Sequence, residues 1–370
     1  MVVDWDKRKK FRTKDLQRVV KSVRDGTFEY EEKEEPEINW AKYDEAQVNE
    51  ISDVLDNIRD VVDLAYKRVP DEPYKGPGQP PIPTKDIVKV LLMQSYFGHS
   101  NRVAAGYLRL FREKLGLSKD FSYKTIERGY DPERTKRLLD EVFRITNEIG
   151  NSYEDKVSFD GSGDPATSKI NYETIRSEQR QNEENNAEMK GEWPESKKHD
   201  FQTTVIGAGV HTKIISGFSS TDDHNIGELS HLPNVLFQSS LNVPNMKIGL
   251  GDGLYAKRPV CKLMESYGYK FYALPARNAT MKIKGVKAWR TITLDLVKDP
   301  QNWLRIFHDR SISETVNSMM KRRELTKIRK KISTRKGTEE FLKGNIHNIR
   351  QCGYLVYLAP RYINFSVLAG

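Results

Sequence analysis

The run Val157-Ser158-Phe159-Asp160-Gly161 constrains this chain more than any other stretch. Two large apolar residues lead to an acid and then a glycine, the pattern of a buried strand that carries a carboxylate to its tip. Two later stretches are fitted to meet it. Met246 to Tyr255 (MKIGLGDGLY) is a second strand-like run and ends at Asp252-Gly253. Phe307 to Arg323 (FHDRSISETVNSMMKRR) is helix-like, with Glu314 in its middle. Carboxylates this far apart in sequence meet only if the fold brings them together. Once together, they offer oxygen ligands to hard divalent cations, and a pair of such ions clamps the attacking and leaving oxygens of a phosphodiester.

Length and charge set the outer bounds. A chain of 370 residues has room for two or three domains. A formal charge of +9 and a pI near 9.2 favour a polyanionic partner. No apolar run reaches the length of about 18 residues that a membrane span needs. The first residues, MVVDWDKRKKFRTKD, lack the apolar core of a signal peptide. Cys261 and Cys352 have no paired spacing, which argues against a disulfide framework or a zinc site and fits a reducing cytoplasm.

Residues 1–69 read as a basic arm followed by a helix. The arm is Lys7-Arg8-Lys9-Lys10, then Arg12 and Lys14; the helix, over 43–69, has its apolar stripe at Val48, Ile51, Leu55, Ile58, Val62 and Ala65. Residues 70–83 (PDEPYKGPGQPPIP) carry too much Pro and Gly for a helix or a central strand, and form a linker. Residues 84–150 read as short helices. Thr84 caps the first, which ends at Gly98; Ser100 opens the second, which stops at Gly116. Ser122 caps a third over Tyr123 to Arg128, and Asp131-Pro132 opens a fourth that runs to Ile149. Such helices suggest a helix-turn-helix style module, with Lys119, Lys124 and Arg128 on phosphates and Tyr123 and Thr125 within reach of base edges. An all-helical packing domain produces the same spacing.

From 151 to 370 the apolar runs become short and β-branched. Strands are expected near 156–160, 201–210, 213–219, 246–251 and 269–275, and helices near 225–238, 256–267, 310–330 and 338–349. That order describes a mixed α/β sheet flanked by helices, preceded by the helical N-terminal region. Excursions at 162–200 and 276–305 interrupt it. Their Trp193, Trp289 and Trp303 either fill the core or stack on a base.

The stretch around Glu314 carries more information. Arg310, Glu314, Asn317 and Lys321 share one helix face, while Ile312, Val316, Met319 and Met320 share another that suits a sheet. The helix can thus hold a carboxylate at a metal site and offer Arg310 and Lys321 to phosphate oxygens. An ordinary i,i+4 ion pair would also explain Arg310 and Glu314. From Lys321 to Arg350 there are 11 Lys/Arg against 3 Glu, which reads as a basic helix tracking a DNA backbone.

Taken together, Asp160, the run Asp252-Gly253-Leu254-Tyr255, and Arg310-x3-Glu314-x6-Lys321 resemble the DDE transposases of prokaryotic insertion sequences, over roughly 155–330. The resemblance implies a ribonuclease H-like catalytic domain in which Asp160, Asp252 and Glu314 are the catalytic residues and the ligands of two Mg²⁺ or Mn²⁺ ions. It implies cutting and joining of double-stranded DNA at element ends by in-line displacement, with no covalent protein–DNA intermediate. DNA contacts are then expected from Tyr255, Arg310, Asn317, Lys321, Arg322 and Arg323, and from Lys124 and Arg128 in the helical module. Synapsis of two ends implies a homodimer, and the DNA partner implies a cytoplasmic, nucleoid-associated protein. Two positions depart from the family pattern: Phe307 stands where a Tyr often precedes the Arg by three, and Leu254 where a small residue is usual. The competing readings are a catalytically silent DNA-binding descendant and a structure-selective DNA nuclease.

Other motifs are set aside. Asp164 follows Gly161 and Gly163 and precedes Pro165, so it reads as a loop residue. Asp222-Asp223-His224 reads as a turn that caps a helix starting at Asn225. Gly249, Gly251 and Gly253 lack the offset of a dinucleotide fingerprint.

Overall fold

In the computed structural model, which describes residues 11–31, 37–166, 201–223, 225–323 and 327–367, the second half of the chain builds one mixed sheet. Its strands are β1 (Lys156–Pro165), β2 (Phe201–Gly209), β3 (Ile215–Thr221), β4 (Ile248–Gly251) and β5 (Lys270–Tyr272). They lie in the order β3-β2-β1-β4-β5. β1, β2 and β3 pair antiparallel; β1, β4 and β5 pair parallel. β1 runs past its expected end, because pairing with β2 continues from Val157↔Gly209 to Pro165↔Phe201. The glycines at 161 and 163 do not stop it. Asp164 is therefore a buried strand residue and not, as expected, part of a loop.

Among the described residues six helices precede the sheet: α1 (Thr13–Arg24), α2 (Trp40–Arg68), α3 (Thr84–Phe97), α4 (Asn101–Leu115), α5 (Tyr123–Gly129) and α6 (Pro132–Gly150). Within and after the sheet come α7 (Glu228–Asn242), α8 (Arg258–Ser266), α9 (Leu296–Lys298), α10 (Pro300–Phe307), α11 (Ser311–Arg323) and α12 (Ser333–Leu358). Glycine in the left-handed conformation ends α3 at Gly98 (φ 66°) and α4 at Gly116 (φ 61°). Residues 70–83 hold neither helix nor strand. No helix among the described residues is long and apolar enough to cross a membrane.

The pleat of β1 divides the layers. Val157 and Phe159 face a core shared with Leu232, Val235 and Leu236 of α7, Met264 of α8, and Leu16, Val19 and Val20 of α1. Trp289 and Trp303 belong to that core, each donating its indole N–H to a backbone carbonyl, of Thr280 and Thr291 respectively. The expected excursion at 276–305 is thus folded and apolar inside, and these two tryptophans are not surface platforms. The opposite face of the sheet, at Ile206, Ala208, Ile215 and Phe218, packs on Val316 and Met320 of α11 and Phe143 of α6.

The helical layer and the sheet are joined by α12. Its Leu342, Ile346, Ile349, Cys352 and Leu355 enter the core made by α2 to α6. Gly344 lets it approach β3, since a Cβ there would stand 3.2 Å from the Phe218 ring. The helix expected at 338–349 is longer than the Gly-interrupted sequence suggested, and it is central. Its cations are largely consumed inside the protein: Lys336 pairs with Asp222, Lys343 with Asp164 and Glu340, Arg350 with Glu50, and Arg335 with Glu127 and Asp131. The expectation that this whole stretch tracks DNA is corrected accordingly. A cation moved into the interior needs a carboxylate beside it, because its desolvation is otherwise too costly.

Smaller departures have equally local causes. Pro83, not Thr84, occupies the α3 N-cap, and the Thr84 N–H goes to Asp71. Val48 and Ile51 at the start of α2 are exposed; the buried stripe begins in earnest at Val54. α7 begins at Glu228 rather than Asn225, and Asp223 accepts from the Asn225 N–H in the turn before it. Lys7 to Lys10, Trp193 and His224 lie outside the described residues.

The approach of α7 to β3 can be tested at one glycine. A Cβ on Gly217 would lie 2.2 Å from the backbone oxygen of Val235. Gly217→Ala should cost on the order of 2–3 kcal/mol of stability, read as a lower denaturant midpoint. Gly106→Ala, on exposed α4 with nothing within 4 Å of the added carbon, should instead raise the midpoint, by about 0.5–1 kcal/mol.

Candidate functional site

The parallel register of β1 and β4 places the first two expected acids side by side. Phe159 pairs with Gly251, so one step further along sit Asp160 and Asp252. Residues in register on adjacent strands present their side chains to the same face. Asp252 then leaves the strand in a tight turn, its Oδ1 accepting the Leu254 N–H at 2.7 Å.

α11 lies over this face. Ser158, two residues before Asp160, donates its hydroxyl to the Arg310 carbonyl at 2.8 Å and meets the Ser313 hydroxyl at 2.8 Å. One turn on, Asn317 Nδ2 donates to Asp160 Oδ2 at 2.9 Å. Asn317 was expected to touch DNA. It is buried and already committed to Asp160, so it orients that carboxylate instead.

A carboxylate that sequence reasoning missed reaches the site from the other face. Glu228, in the first turn of α7, lies against Gly161: a Cβ on that glycine would stand 2.3 Å from Glu228 Cδ. The Tyr255 hydroxyl donates to Glu228 Oε1. Tyr255 is 0% exposed, which corrects its expected role as a DNA contact; it is a buried donor that holds Glu228. The only sequence signal for Glu228 was an acid at a helix start, which is commonplace.

Electrostatics tie these groups together. The Asp160 carboxyl is pushed up to about 6, first by burial, against the Asn317 hydrogen bond, and further by the charges of Glu228 and Asp252. Glu228 is also raised, by burial and by Asp252, with the Tyr255 hydrogen bond opposing. Tyr255 is raised well above the ordinary range by burial and by Glu228. Like charges crowded at a half-buried place disfavour ionisation. Such a cluster is poised to gain from a cation.

Glu314 behaves differently. Its side chain is 56% exposed and paired with Arg310. Among the described residues, Glu154, Asp155 and His211 are the one set of potential metal ligands whose atoms all lie within 4.8 Å of one another. The expected convergence of Asp160, Asp252 and Glu314 is therefore incomplete: the two aspartates are neighbours, and Glu314 is held off by Arg310. The Glu154 set has its own explanation. The Glu154 carboxylate accepts the backbone N–H groups of Asp155, Lys156, His211 and Thr212, which staples a turn.

Phe307 is buried and stacks on Trp303, with the Arg310 guanidinium 5.3 Å from its ring centroid. Lys321, Arg322 and Arg323 end α11, with Arg322 exposed. Lys124 and Arg128 are exposed on α5. A scan of protein-family models and a search of curated proteins both return no match to this chain.

The raised acid makes a stability prediction. The folded state holds the Asp160 proton more tightly than the unfolded chain, so stability falls as pH rises from the ordinary 3.8 to about 6. Asp160→Asn removes that loss while keeping an oxygen for Asn317. Its melting temperature should exceed wild type at pH 7.5, by a gain on the order of 1–2 kcal/mol after solvent screening. The gain should vanish below about pH 4. A variant less stable than wild type at pH 7.5 would contradict the crowding of charge at Asp160.

Proposed function

We propose that this chain is a metal-dependent DNA transposase of the DDE type, with a ribonuclease H-like catalytic domain that cuts and joins DNA at element ends. One observation carries the reading: the β1–β4 register sets Asp160 beside Asp252, on the face covered by the helix that bears Glu314 and Asn317. The sheet supports it too, with three antiparallel strands followed by two parallel ones in the order β3-β2-β1-β4-β5. The donor set supports Mg²⁺ or Mn²⁺, since Asp160, Glu228 and Asp252, whose charges act on one another, are all carboxylates.

In this reading Asp160, Asp252 and Glu314 hold two ions, which when bound activate the attacking oxygen and neutralise charge on the leaving oxygen. Asn317 fixes the rotamer of Asp160, and Tyr255 fixes Glu228, whose charge adds to the attraction for cations. Glu314 reaches the site by rotating away from Arg310, one turn from Asn317 on the same helix face. Arg310 is thereby released to a phosphate oxygen, with Lys321, Arg322 and Arg323 following along the helix. The partner is double-stranded DNA, and synapsis of two ends calls for a homodimer in the cytoplasm at the nucleoid.

The Arg310–Glu314 pair also favours a second reading, a descendant that binds DNA without cutting it. Plasmid nicking separates the two. With Mn²⁺ or Mg²⁺, wild type should nick supercoiled plasmid carrying the DNA that flanks the gene. Asp252→Ala should lose about 10³-fold or more of the rate, the worth of several kcal/mol of metal-held charge. Mn²⁺ should also raise the melting temperature of wild type and not of Asp252→Ala. Nicking that survives in Asp252→Ala would sink the enzymatic reading. Joining of a 3′-hydroxyl end to target plasmid distinguishes a transposase from a simple nuclease.

A further inference from the structure

A basic surface remains that neither the carboxylate site nor the ion pairs of α12 absorbs. One cleft, about 510 Å³, lies between α3, α4 and α5 and the segment 327–332, and Lys327, Arg329 and Lys331 line it. A second, about 490 Å³, shares the wall of Ser100, Asn101 and Glu127 and is lined by Arg102, Lys124 and Arg128. All six cations are exposed. None has an acidic partner among the described residues, whereas the acids around them are taken. Glu127 is held by Lys330 and Arg335, and Asp131 by Arg335. Glu339 accepts the backbone N–H groups of Arg329 and Lys330. The surface is therefore positive at short range, not merely rich in lysine.

The two halves are locked together. Lys330, 8% exposed, places its ammonium 2.9 Å from Glu127 and 3.7 Å from the centroid of the Tyr130 ring. It also reaches Asn101 Oδ1 at 3.0 Å. Two residues earlier, the Ile328 N–H donates to the Pro165 carbonyl at 3.0 Å, and Ile328 bridges to Ala166 just beyond β1. The segment is thus fixed both to the helical layer and to the strand that carries Asp160.

We infer that Arg102, Lys124, Arg128, Lys327, Arg329 and Lys331 form one docking surface for the phosphate backbone of duplex DNA. It is assembled jointly by α4, α5 and the segment before α12. The choice of DNA as the polyanion rests on the function proposed above. β1 and the residue after it connect the surface to Asp160 over six residue steps, Asp160 to Ala166, or about 20 Å of extended chain. That is about six base pairs of duplex, so the surface grips the flank of a DNA whose reacting phosphate is at the carboxylates.

The test is fluorescence anisotropy of a labelled duplex across a salt series, without divalent metal. The variants are Lys327→Ala/Lys331→Ala, Lys124→Ala/Arg128→Ala, and Asp160→Asn. Each double variant should flatten the log–log salt slope by about 2 and weaken binding about tenfold or more. Asp160→Asn should bind at least as well as wild type. Melting curves check that the exposed double variants remain folded; one that does not is replaced by a single variant from the same pair, Lys331→Ala or Lys124→Ala, with an expected slope change of about 1. If both double variants bind duplex as wild type does, or if only the α5 pair matters, the composite surface is wrong. Charge-dependent binding that is tighter to anionic vesicles or duplex RNA than to duplex DNA would overturn the choice of partner. Binding that follows the expected pattern while nicking fails leaves this surface standing and removes the enzymatic reading alone.

Discussion

The parallel pairing of β1 with β4 is the constraint from which the site follows. A one-residue slip of that register would send one of the two aspartates to the opposite face of the sheet. The register is held by burial on both sides: Val157 and Phe159 fill the core beneath α7 and α8, and Ser158 is tied to the start of α11. The same arrangement forces carboxylates into a half-buried place, which works against stability. Two neutral donors offset part of that cost, the Asn317 amide on Asp160 and the Tyr255 hydroxyl on Glu228. The site is thus strained electrostatically while its scaffold is well packed.

A second theme is the reuse of charge. The basic stretch that runs into α12 looks in sequence like one uninterrupted polyanion tracker. In three dimensions it separates into two populations. Lys336, Lys343 and Arg350 turn inward to Asp222, Asp164, Glu340 and Glu50, and fasten α12 to the strands and helices it crosses. Lys327, Arg329 and Lys331 stay outside, held in place by the buried Lys330 between them. The inward group gives the outward group a rigid platform.

How legible all this was in the sequence varies by residue. The neighbouring of Asp160 and Asp252 followed from two apolar runs that end on Asp-Gly, because strand order constrains which strands can be neighbours; the helix expected over 310–330 is helical over 311–323, and residues 327–330 lie outside it. Of the four residues read as sheet-facing, Val316 and Met320 are buried against the sheet and Ile312 packs partly buried beside them, while Met319 is not part of that core. Glu228 was not legible. Its place depends on a missing side chain at Gly161, on a strand far away in sequence. Asn317 and Tyr255 were assigned to the surface because a polar side chain carries no label for burial; only its partner decides that. Glu314 was placed on the correct helix, but its present partner is Arg310, a choice between two opposite attractions that spacing alone leaves open.

By itself the sequence determined the periodic elements, the mixed α/β class and the amphipathic helix over the sheet, because these rest on local chain geometry and repeat with a period of two or 3.6 residues; it put both aspartates at strand tips, whereas only Asp252 follows a strand end and Asp160 lies inside β1, which pairs on to Pro165. Only the tertiary structure decided which polar groups are buried, which cations are spent on internal acids, and which further carboxylate joins the two aspartates. Those outcomes depend on desolvation and on partners brought from elsewhere in the chain, and neither is written in local spacing.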